Sequence, residues 1–159
     1  AIGTANYVHG ALIEAKKRNA STVLICCNDY KKKKYIDYII DAVVGPEVIA
    51  GSTRMKAGTA TKMILNMIST TAMIKLNKVY NNLMVDVKIS NKKLFNRAIN
   101  IISNVCLCSL QESEEYINKS EGSVKAAIIM QMKNITLSDS ISILTKYEGN
   151  LKKVLDHYK

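Results

Sequence analysis

The residues that could do chemistry are concentrated between Gly45 and Asn66, where the chain reads GPEVIAGSTRMKAGTATKMILN. Two hydroxyl side chains, Ser52 and Thr53, come directly before the cations Arg54 and Lys56. The apolar pattern that follows indicates that a helix begins here, and the backbone N–H groups of a first helical turn can bind an anion. The stretch therefore predicts an anion site at a helix N-terminus.

The same residues also have a purely structural interpretation. Ser52 or Thr53 could simply cap the helix, and Arg54 and Lys56 could be solvated surface charges. Gly58 favours a further role, because a glycine inside a helix costs about 1 kcal/mol relative to alanine. We therefore expect a backbone segment or a ligand to approach the first turn of this helix closely.

The elements that precede this stretch alternate between helix and strand. A helical pattern near the N-terminus ends at Asn19, a residue that tolerates the left-handed conformation. Apolar runs over Thr22–Cys27 and Ile36–Val44 are typical of parallel strands, and Pro46 suits the end of the second strand. This order predicts an α/β fold in which ligands bind at the carboxyl ends of the strands.

The helix that starts at the candidate site continues to Asn77 and is apolar almost all round. Such a helix is expected to be buried, either in the centre of a domain or in a subunit interface. The remainder of the chain predicts short helices that form a small bundle after the α/β part. Their starts are marked by the capping residues Asn91, Ser109, Ser123 and Thr136.

Composition narrows the possible partners. The formal charge is +10 and Lys31–Lys34 forms a basic run, but no nucleic-acid-binding motif accompanies it, so nucleic acid is not favoured as a partner. The four cysteines lack C-x-x-C spacing, which argues against a zinc site and for reduced thiols in a cytoplasmic protein. No apolar stretch reaches transmembrane length, so no membrane partner is expected.

Several motifs together resemble one family. The motifs are Gly45–Glu47, Gly51–Lys56, Gly58–Asn66, Lys78–Val87 and Gly122–Lys125. They are similar to the family that joins bacterial N-acetylmuramic acid 6-phosphate etherases with the glucokinase regulatory protein, both built on sugar isomerase (SIS) domains. The resemblance covers nearly the whole chain, and Leu83–Asp86 favours the etherase branch.

The resemblance implies a three-layer α/β fold of the SIS type, which is flavodoxin-like or Rossmann-like. Residues 1–89 would form the second half of a SIS sugar-phosphate-binding domain, including its long helix. Residues 90–159 would form a helical region with a small three-helix bundle that resembles ubiquitin-associated domains. Because a complete SIS domain carries further strands before the part that matches Ala1, we expect the chain to be the C-terminal half of a longer protein. SIS proteins generally pair, which implies a homodimer.

In the etherase branch the substrate is a phosphorylated amino sugar from peptidoglycan recycling, N-acetylmuramic acid 6-phosphate, which carries a lactyl ether at C3. The sugar opens to its aldehyde, a base removes the C2 proton, and an acid assists the departure of lactate. Water then adds to the unsaturated intermediate and gives N-acetylglucosamine 6-phosphate and D-lactate, with no cofactor and no metal. Such a pair of groups is usually two carboxyls in opposite protonation states. The resemblance places those glutamates upstream of this chain.

The resemblance also implies that Ser52, Thr53 and Lys56 contact the sugar phosphate or support the residues that do. Glu47 is the acid inside the matching motif. We expect it to have a binding or structural role rather than a catalytic one, because a carboxylate beside Arg54 or Lys56 can position the cation.

The N-terminal loop departs from the etherase pattern. Ile2 stands where etherases have a serine that helps to bind the phosphate, and Thr4 stands where they have an arginine. Either Thr4 and the Gly3 backbone replace those contacts, or this protein has lost sugar-phosphate binding. Two hypotheses follow: a lyase, or a non-catalytic SIS module that binds a sugar phosphate or a protein partner, as the glucokinase regulatory protein does.

Overall fold

The computed structural model describes residues 3–157, so Ile2 lies outside the described part of the chain. Contacts divide the chain into two units, residues 1–70 and 71–159. The described chain is a mixed α/β structure that is mostly helical and contains two small sheets. None of its described helices combines the length and the apolar character needed to cross a membrane.

The first unit contains an N-terminal helix and a pair of parallel strands. Its elements are α1 (Asn6–Lys17), β1 (Val23–Cys26), β2 (Tyr38–Asp41) and the first part of α2 (Lys56–Lys75). The predicted parallel pairing is confirmed, with Val23 opposite Tyr38 and Cys26 opposite Asp41. The strands are shorter than the apolar runs that predicted them.

Asp37 and Thr22 hold the start of this strand pair. The Thr22 N–H donates to the Asp37 carboxylate at 2.9 Å, and the Thr22 hydroxyl donates to the Tyr35 carbonyl at 2.8 Å. Lys16 on α1 donates to the other carboxylate oxygen at 2.6 Å. The hydrogen bonds from Lys16 and from the Thr22 backbone lower the pKa of Asp37 to about 2, so one carboxylate connects α1 to both strands.

The core of the first unit is small. It consists of Leu12 from α1, Leu24 from β1 and Ile36 from the loop before β2. Leu24 is buried, whereas its neighbour Val23 is 41% exposed. The sequence predicted a buried strand, whereas burial alternates along β1, with Leu24 and Cys26 buried and Val23 exposed.

Helix α2 is exposed along most of its length. Ala57 is its only buried residue, and Met63, Met67 and Ile74 are 58%, 56% and 52% exposed. The apolar sequence predicted burial either in the centre of a domain or in a subunit interface, since apolar side chains normally leave water. Burial in the centre of the described unit is not found, and burial in a subunit interface stays a prediction.

The second unit is a helical bundle that begins with a short hairpin. Its elements are β3 (Val79–Tyr80), β4 (Leu83–Met84), α3 (Lys92–Cys106), α4 (Leu110–Lys119), α5 (Val124–Lys133), α6 (Leu137–Lys146) and α7 (Leu151–His157). Helix α5 is central, because it packs against α3, α4 and α6 and buries Ala126 through Met130.

The helix starts predicted in this unit are confirmed. The Asn91 side chain caps α3, and Ser123 and Thr136 cap α5 and α6. Ser109 and Glu112 form a complete capping box at α4, in which the Ser109 hydroxyl accepts from the Glu112 N–H at 3.1 Å and the Glu112 carboxylate accepts from the Ser109 N–H at 2.8 Å.

Residues 71–89 pack with these helices. Val85 and Val87 are buried in the core of the bundle, and Lys78 pairs with Asp86 beside them. The contacts therefore divide the chain after Thr70, whereas the family resemblance implies that a sugar-phosphate-binding part ends at residue 89. That functional boundary stays a prediction.

Candidate functional site

Two of the candidate segments meet at the carboxyl end of β1. A Cβ atom at Gly3 would lie 3.2 Å from the Cβ of Cys26, the last residue of β1. The sulfur of the next residue, Cys27, lies 3.6 Å from the Ala57 carbonyl oxygen and 3.6 Å from the Thr61 hydroxyl on α2. The two adjacent cysteines thus contact the N-terminal loop and α2 separately. This end of a parallel strand is where α/β proteins bind ligands.

The N-terminal loop is held by a buried histidine. Gly3 has a φ of +79°, and a Cβ there would lie 3.0 Å from the Tyr30 ring, so the position requires glycine. The Nε2 atom of His9 lies 2.7 Å from the Gly3 carbonyl oxygen, which can only accept, so Nε2 donates. The Tyr35 hydroxyl lies 3.1 Å from Nδ1 on the other side of the ring. Thr4 is exposed directly before α1.

Glu47 caps helix α2. Its carboxylate oxygens accept the backbone N–H groups of Lys56 and Ala57, each at 3.0 Å. The hydrogen bonds from Ala57 and Lys56, with a smaller contribution from the Lys56 charge, hold the pKa of Glu47 below its usual range. The sequence assigned this cap to Ser52 or Thr53, and that assignment is wrong, because the loop after Pro46 folds back far enough to bring Glu47 to the helix start.

Several N–H groups at the start of α2 have partners within the chain. The Lys56 and Ala57 N–H groups donate to Glu47, and the Gly58 N–H donates to the Thr53 carbonyl at 2.9 Å. The Thr59 N–H donates to the Met55 carbonyl at 3.1 Å. An anion site at the preceding residues Ser52, Thr53 and Arg54 stays a prediction.

The close approach expected at Gly58 is confirmed. A Cβ atom at this position would lie 3.3 Å from the Thr53 carbonyl oxygen, so the group that approaches is the backbone of the preceding turn. The glycine lets Thr53 fold against the helix. It also leaves open the surface beside it.

Ser52 and Thr53 line different grooves. Thr53 belongs to a groove of about 440 Å³ along one side of α2, which we call the α2 groove and which is lined by Thr53, Gly58, Thr61, Lys62 and Asn66. Ser52 lies in a more apolar groove of about 470 Å³ together with Arg54 and Met55. The Lys56 residue is exposed at the helix start. The structure thus brings the Glu47 carboxylate to the backbone of Lys56, whereas Ser52 and Thr53 line two different grooves.

No cluster of three or more histidine, cysteine, aspartate or glutamate side chains within residues 3–157 could hold a metal ion. All four cysteines are free thiols. Burial raises the pKa of Cys106 to about 12, with a smaller contribution from Cys108, so this thiol stays protonated at neutral pH. The described polar groups can bind and orient a ligand by hydrogen bonds and by charge.

The structure adds details that the sequence patterns did not give. His9 has a structural role, because it lies under the N-terminal loop. Cys27, one of the cysteines expected to be reduced thiols, supports α2. No role was predicted for Thr61 and Lys62, although both lie in the motif Gly58–Asn66 that resembles the family. Their shared position could have been predicted, because residues 58, 61, 62 and 66 follow helical spacing and lie on one face of the helix.

Comparison with known proteins first identifies a family model that matches part of the chain. A family model for the C-terminal lid domain of the glucokinase regulatory protein matches residues 81–149. This match covers the hairpin and most of the helical bundle of the second unit.

Curated relatives match along the chain. The N-acetylmuramic acid 6-phosphate etherase of Trichodesmium erythraeum is 46% identical over 154 residues, which are 96% of this chain and 50% of that protein. N-acetylmuramic acid 6-phosphate etherase 1 of Bacillus licheniformis is 50% identical over 160 residues, covering 100% of this chain and 53% of the relative. The etherase of Bacillus subtilis is 45% identical over 159 residues, covering 99% and 52%.

The chain therefore belongs to the family of the N-acetylmuramic acid 6-phosphate etherases and the glucokinase regulatory protein, and it corresponds to their C-terminal region. It spans about half the length of the curated relatives that it matches.

Proposed function

We propose that the protein to which this chain belongs is a carbon–oxygen lyase that cleaves the lactyl ether of N-acetylmuramic acid 6-phosphate. The observation that carries this proposal is the identity of 45% to 50% with proteins named as etherases along essentially the whole chain. The products would be N-acetylglucosamine 6-phosphate and D-lactate, as in cell-wall sugar recycling in the cytoplasm.

The first unit is, in this proposal, the second half of a SIS-type three-layer domain. Gly3, Thr4, Ser52, Thr53 and Lys56 contact the substrate or support the residues that do. Glu47 serves the site indirectly, since its carboxylate fixes the start of α2 through two backbone N–H groups. The convergence of the Gly3 loop and α2 at the carboxyl end of β1 supports this assignment.

The chemical step requires a base for the C2 proton and an acid for the leaving lactate. Both oxygens of the Glu47 carboxylate are already committed to backbone N–H groups, so Glu47 is poorly suited to either role. We assign the acid and the base to glutamates in the part of the family's sequence that precedes the region matched here. The described residues then act in binding and orientation, and the reaction uses no cofactor.

The protein acts as a homodimer in this proposal. The exposed apolar face of α2, which contains Met63, Met67 and Ile74, supports it. An apolar surface of this kind on a soluble protein marks an interface.

The alternative is a non-catalytic SIS module of the glucokinase regulatory protein type. The match of residues 81–149 to a model of the lid domain of that protein is compatible with it, whereas the relatives named as etherases match along the whole chain. The departures at Ile2 and Thr4 concern phosphate binding and are compatible with a module that binds a protein partner instead.

The experiment that tests the proposal is incubation of the natural full-length protein with N-acetylmuramic acid 6-phosphate and detection of D-lactate. We expect stoichiometric release of lactate and of N-acetylglucosamine 6-phosphate, without added metal and in the presence of a chelator. Tight binding of sugar phosphate without any release of lactate would instead support the regulatory module.

A further inference from the structure

The amino-terminal edge of the β1–β2 pair carries a groove that the candidate site does not include. Its volume is about 750 Å³, within the size range of small-molecule sites. We call it the basic groove, and the residues that line it include Lys16, Lys32, Lys33, Lys34, Asp37 and Tyr38. Another lining residue, Ser21, precedes β1, and Tyr38 begins β2, so the groove lies at the edge of the sheet opposite to Cys26.

The positive charge of the basic groove exceeds the negative charge that balances it. Asp37 is the only acid among the described residues that line the groove. The Lys16 ammonium group donates to one Asp37 carboxylate oxygen at 2.6 Å, and the Lys32 ammonium group donates to the Asp37 backbone carbonyl, also at 2.6 Å. The other carboxylate oxygen accepts from the Thr22 N–H. Two ammonium groups from different elements therefore converge on one residue that carries a single negative charge.

The other two lysines of the groove differ in how they are held. The Lys33 ammonium group lies over the Tyr30 and Tyr35 rings, 5.9 Å and 6.0 Å from their centroids. Lys34 is exposed, and no ion pair in the part of the chain that the structure describes involves it. The charges of Lys16, Lys32 and Lys34 thus spread along the groove and match an anion with more than one charged group.

We propose that the basic groove binds a condensed phosphate, a di- or triphosphate group that is either free or part of a nucleotide. Lys16, Lys32 and Lys34 share the phosphate charges, since lysine binds phosphate as a point charge. Tyr38 is 64% exposed at the start of β2, and its ring stacks on the base where the ligand is a nucleotide. This binding site goes beyond the proposed reaction, which takes place at the other edge of the sheet.

Calorimetric titration of the natural full-length protein with orthophosphate, pyrophosphate, tripolyphosphate and ATP tests the proposal, in about 0.15 M salt and with a chelator present. Pyrophosphate should bind about tenfold more tightly than orthophosphate, because it engages more than one ammonium group. Lys32→Gln and Lys34→Gln should each weaken pyrophosphate about fivefold, the upper end for one exposed charge pair. Lys34→Gln carries the test if Lys32→Gln loses stability together with its hydrogen bond to Asp37.

Lys31→Gln is the matched control. Lys31 belongs to the same basic run and is exposed, but it is not among the residues that line the groove. Its substitution should leave the affinity for pyrophosphate unchanged. A loss in Lys31→Gln equal to that in Lys34→Gln would overturn the proposal, because general charge would then explain the binding.

The comparison of ATP with tripolyphosphate identifies the source of the phosphate group. Tyr38→Thr keeps a β-branched residue at this exposed strand position. If the ligand is a nucleotide, Tyr38→Thr should weaken ATP and leave tripolyphosphate unchanged. Equal affinities for ATP and tripolyphosphate in both proteins would identify a free condensed phosphate.

Competition separates the basic groove from the candidate site. Saturating N-acetylglucosamine 6-phosphate should not displace pyrophosphate, because the two ligands bind at opposite edges of the sheet. Displacement would overturn the proposal, and so would pyrophosphate that binds no more tightly than orthophosphate. Neither result bears on the release of lactate, so the proposed function stands or falls by its own experiment.

Discussion

At the scale of single residues, the start of α2 shows how a carboxylate that is distant in sequence can cap a helix. Glu47 lies nine positions before Lys56 in sequence and accepts its N–H group together with that of Ala57. Helix N-termini favour negative charge, and a side chain held by the same loop supplies it without the entropy loss of binding a free ion. The N–H groups of Lys56 and Ala57 are therefore occupied within the chain.

The Glu47 cap gives a pH-dependent prediction. Because the pKa of Glu47 is lowered in the folded protein, its contribution is complete above its ordinary value of 4.5 and is lost as the pH falls through the folded value. We expect Glu47→Gln to lower the melting temperature at pH 7, with the difference from the unaltered protein shrinking as the solution is acidified. Thermal melts between pH 7 and pH 3 measure this difference.

The matched control is Glu114→Gln, an exposed substitution on α4. Asp37, whose pKa is also lowered, is present in every variant, so its titration cancels in the comparison. An equal loss of melting temperature at both ends of the pH range would show that the Glu47 charge is not responsible.

His9 gives a prediction about the N-terminal loop. Replacement by phenylalanine leaves the Gly3 carbonyl and the Tyr35 hydroxyl without their ring partner in a buried environment. An unpaired buried polar group costs about 1–3 kcal/mol, so His9→Phe should lower the free energy of unfolding by at least that amount in denaturant titrations. Tyr35→Phe removes one hydroxyl and should cost less. Equal stability of His9→Phe and the unaltered protein would contradict the described network.

The roles of some residues could be predicted from the sequence and the roles of others could not, for physical reasons. Gly58 could be read from the sequence, because a glycine in a helix demands a close contact, and the contact exists. Glu47 could not be identified as the cap, because its position depends on how the loop after Pro46 folds and not on spacing along the helix. The role of His9 depends on Tyr30 and Tyr35, which are more than twenty positions away.

At the scale of elements, the second unit follows its local signals closely. Each predicted helix start from Asn91 to Thr136 carries the hydrogen bond that its residue type implies. Caps act over three residues, so the sequence contains the complete interaction. The strands of the first unit were predicted in place but not in length, because the extent of a strand depends on its partner.

The capping box of α4 can be tested directly. Ser109→Ala removes the hydroxyl that accepts from the Glu112 N–H, and caps of this kind contribute about 1 kcal/mol. We expect a decrease of that size in the free energy of unfolding. Ser138→Ala, at an exposed position in α6, should change it by less than about half as much. A decrease that is equal in the two variants would argue against a specific cap.

Helix α2 is the element for which the sequence left two kinds of burial open, in the centre of a domain or in a subunit interface. Its apolar face is exposed in residues 3–157, and the proposed homodimer would cover it. We expect Met67→Lys to shift the full-length protein from dimer to monomer in sedimentation equilibrium, because a charge at an apolar interface is costly to bury. Ser69→Lys is the control, since Ser69 lies on the polar side of α2 that carries Lys62 and Asn66. A dimer that persists in Met67→Lys would place the interface elsewhere.

At the scale of the whole molecule, the two units differ in how much core they contain. The second unit surrounds α5 with a continuous apolar cluster that includes Ile102, Ile128 and Val154. The cluster of the first unit is built on Leu12, Leu24 and Ile36. The family was predicted from ordered motifs along the chain and is confirmed by its relatives, whereas the SIS topology and the substrate contacts stay proposals. The charge of +10 is distributed over both units, so it does not identify the site.

The central claim, that the protein is an etherase that works by elimination and hydration, is tested most directly by one reaction in ¹⁸O-labelled water. The natural full-length protein is incubated with N-acetylmuramic acid 6-phosphate, and both products are analysed by mass spectrometry. Elimination breaks the bond between C3 and the ether oxygen, and water then adds at C3. We therefore expect ¹⁸O in the C3 hydroxyl of N-acetylglucosamine 6-phosphate and none in the hydroxyl of D-lactate. Label in the lactate hydroxyl, or no lactate at all, would contradict the account.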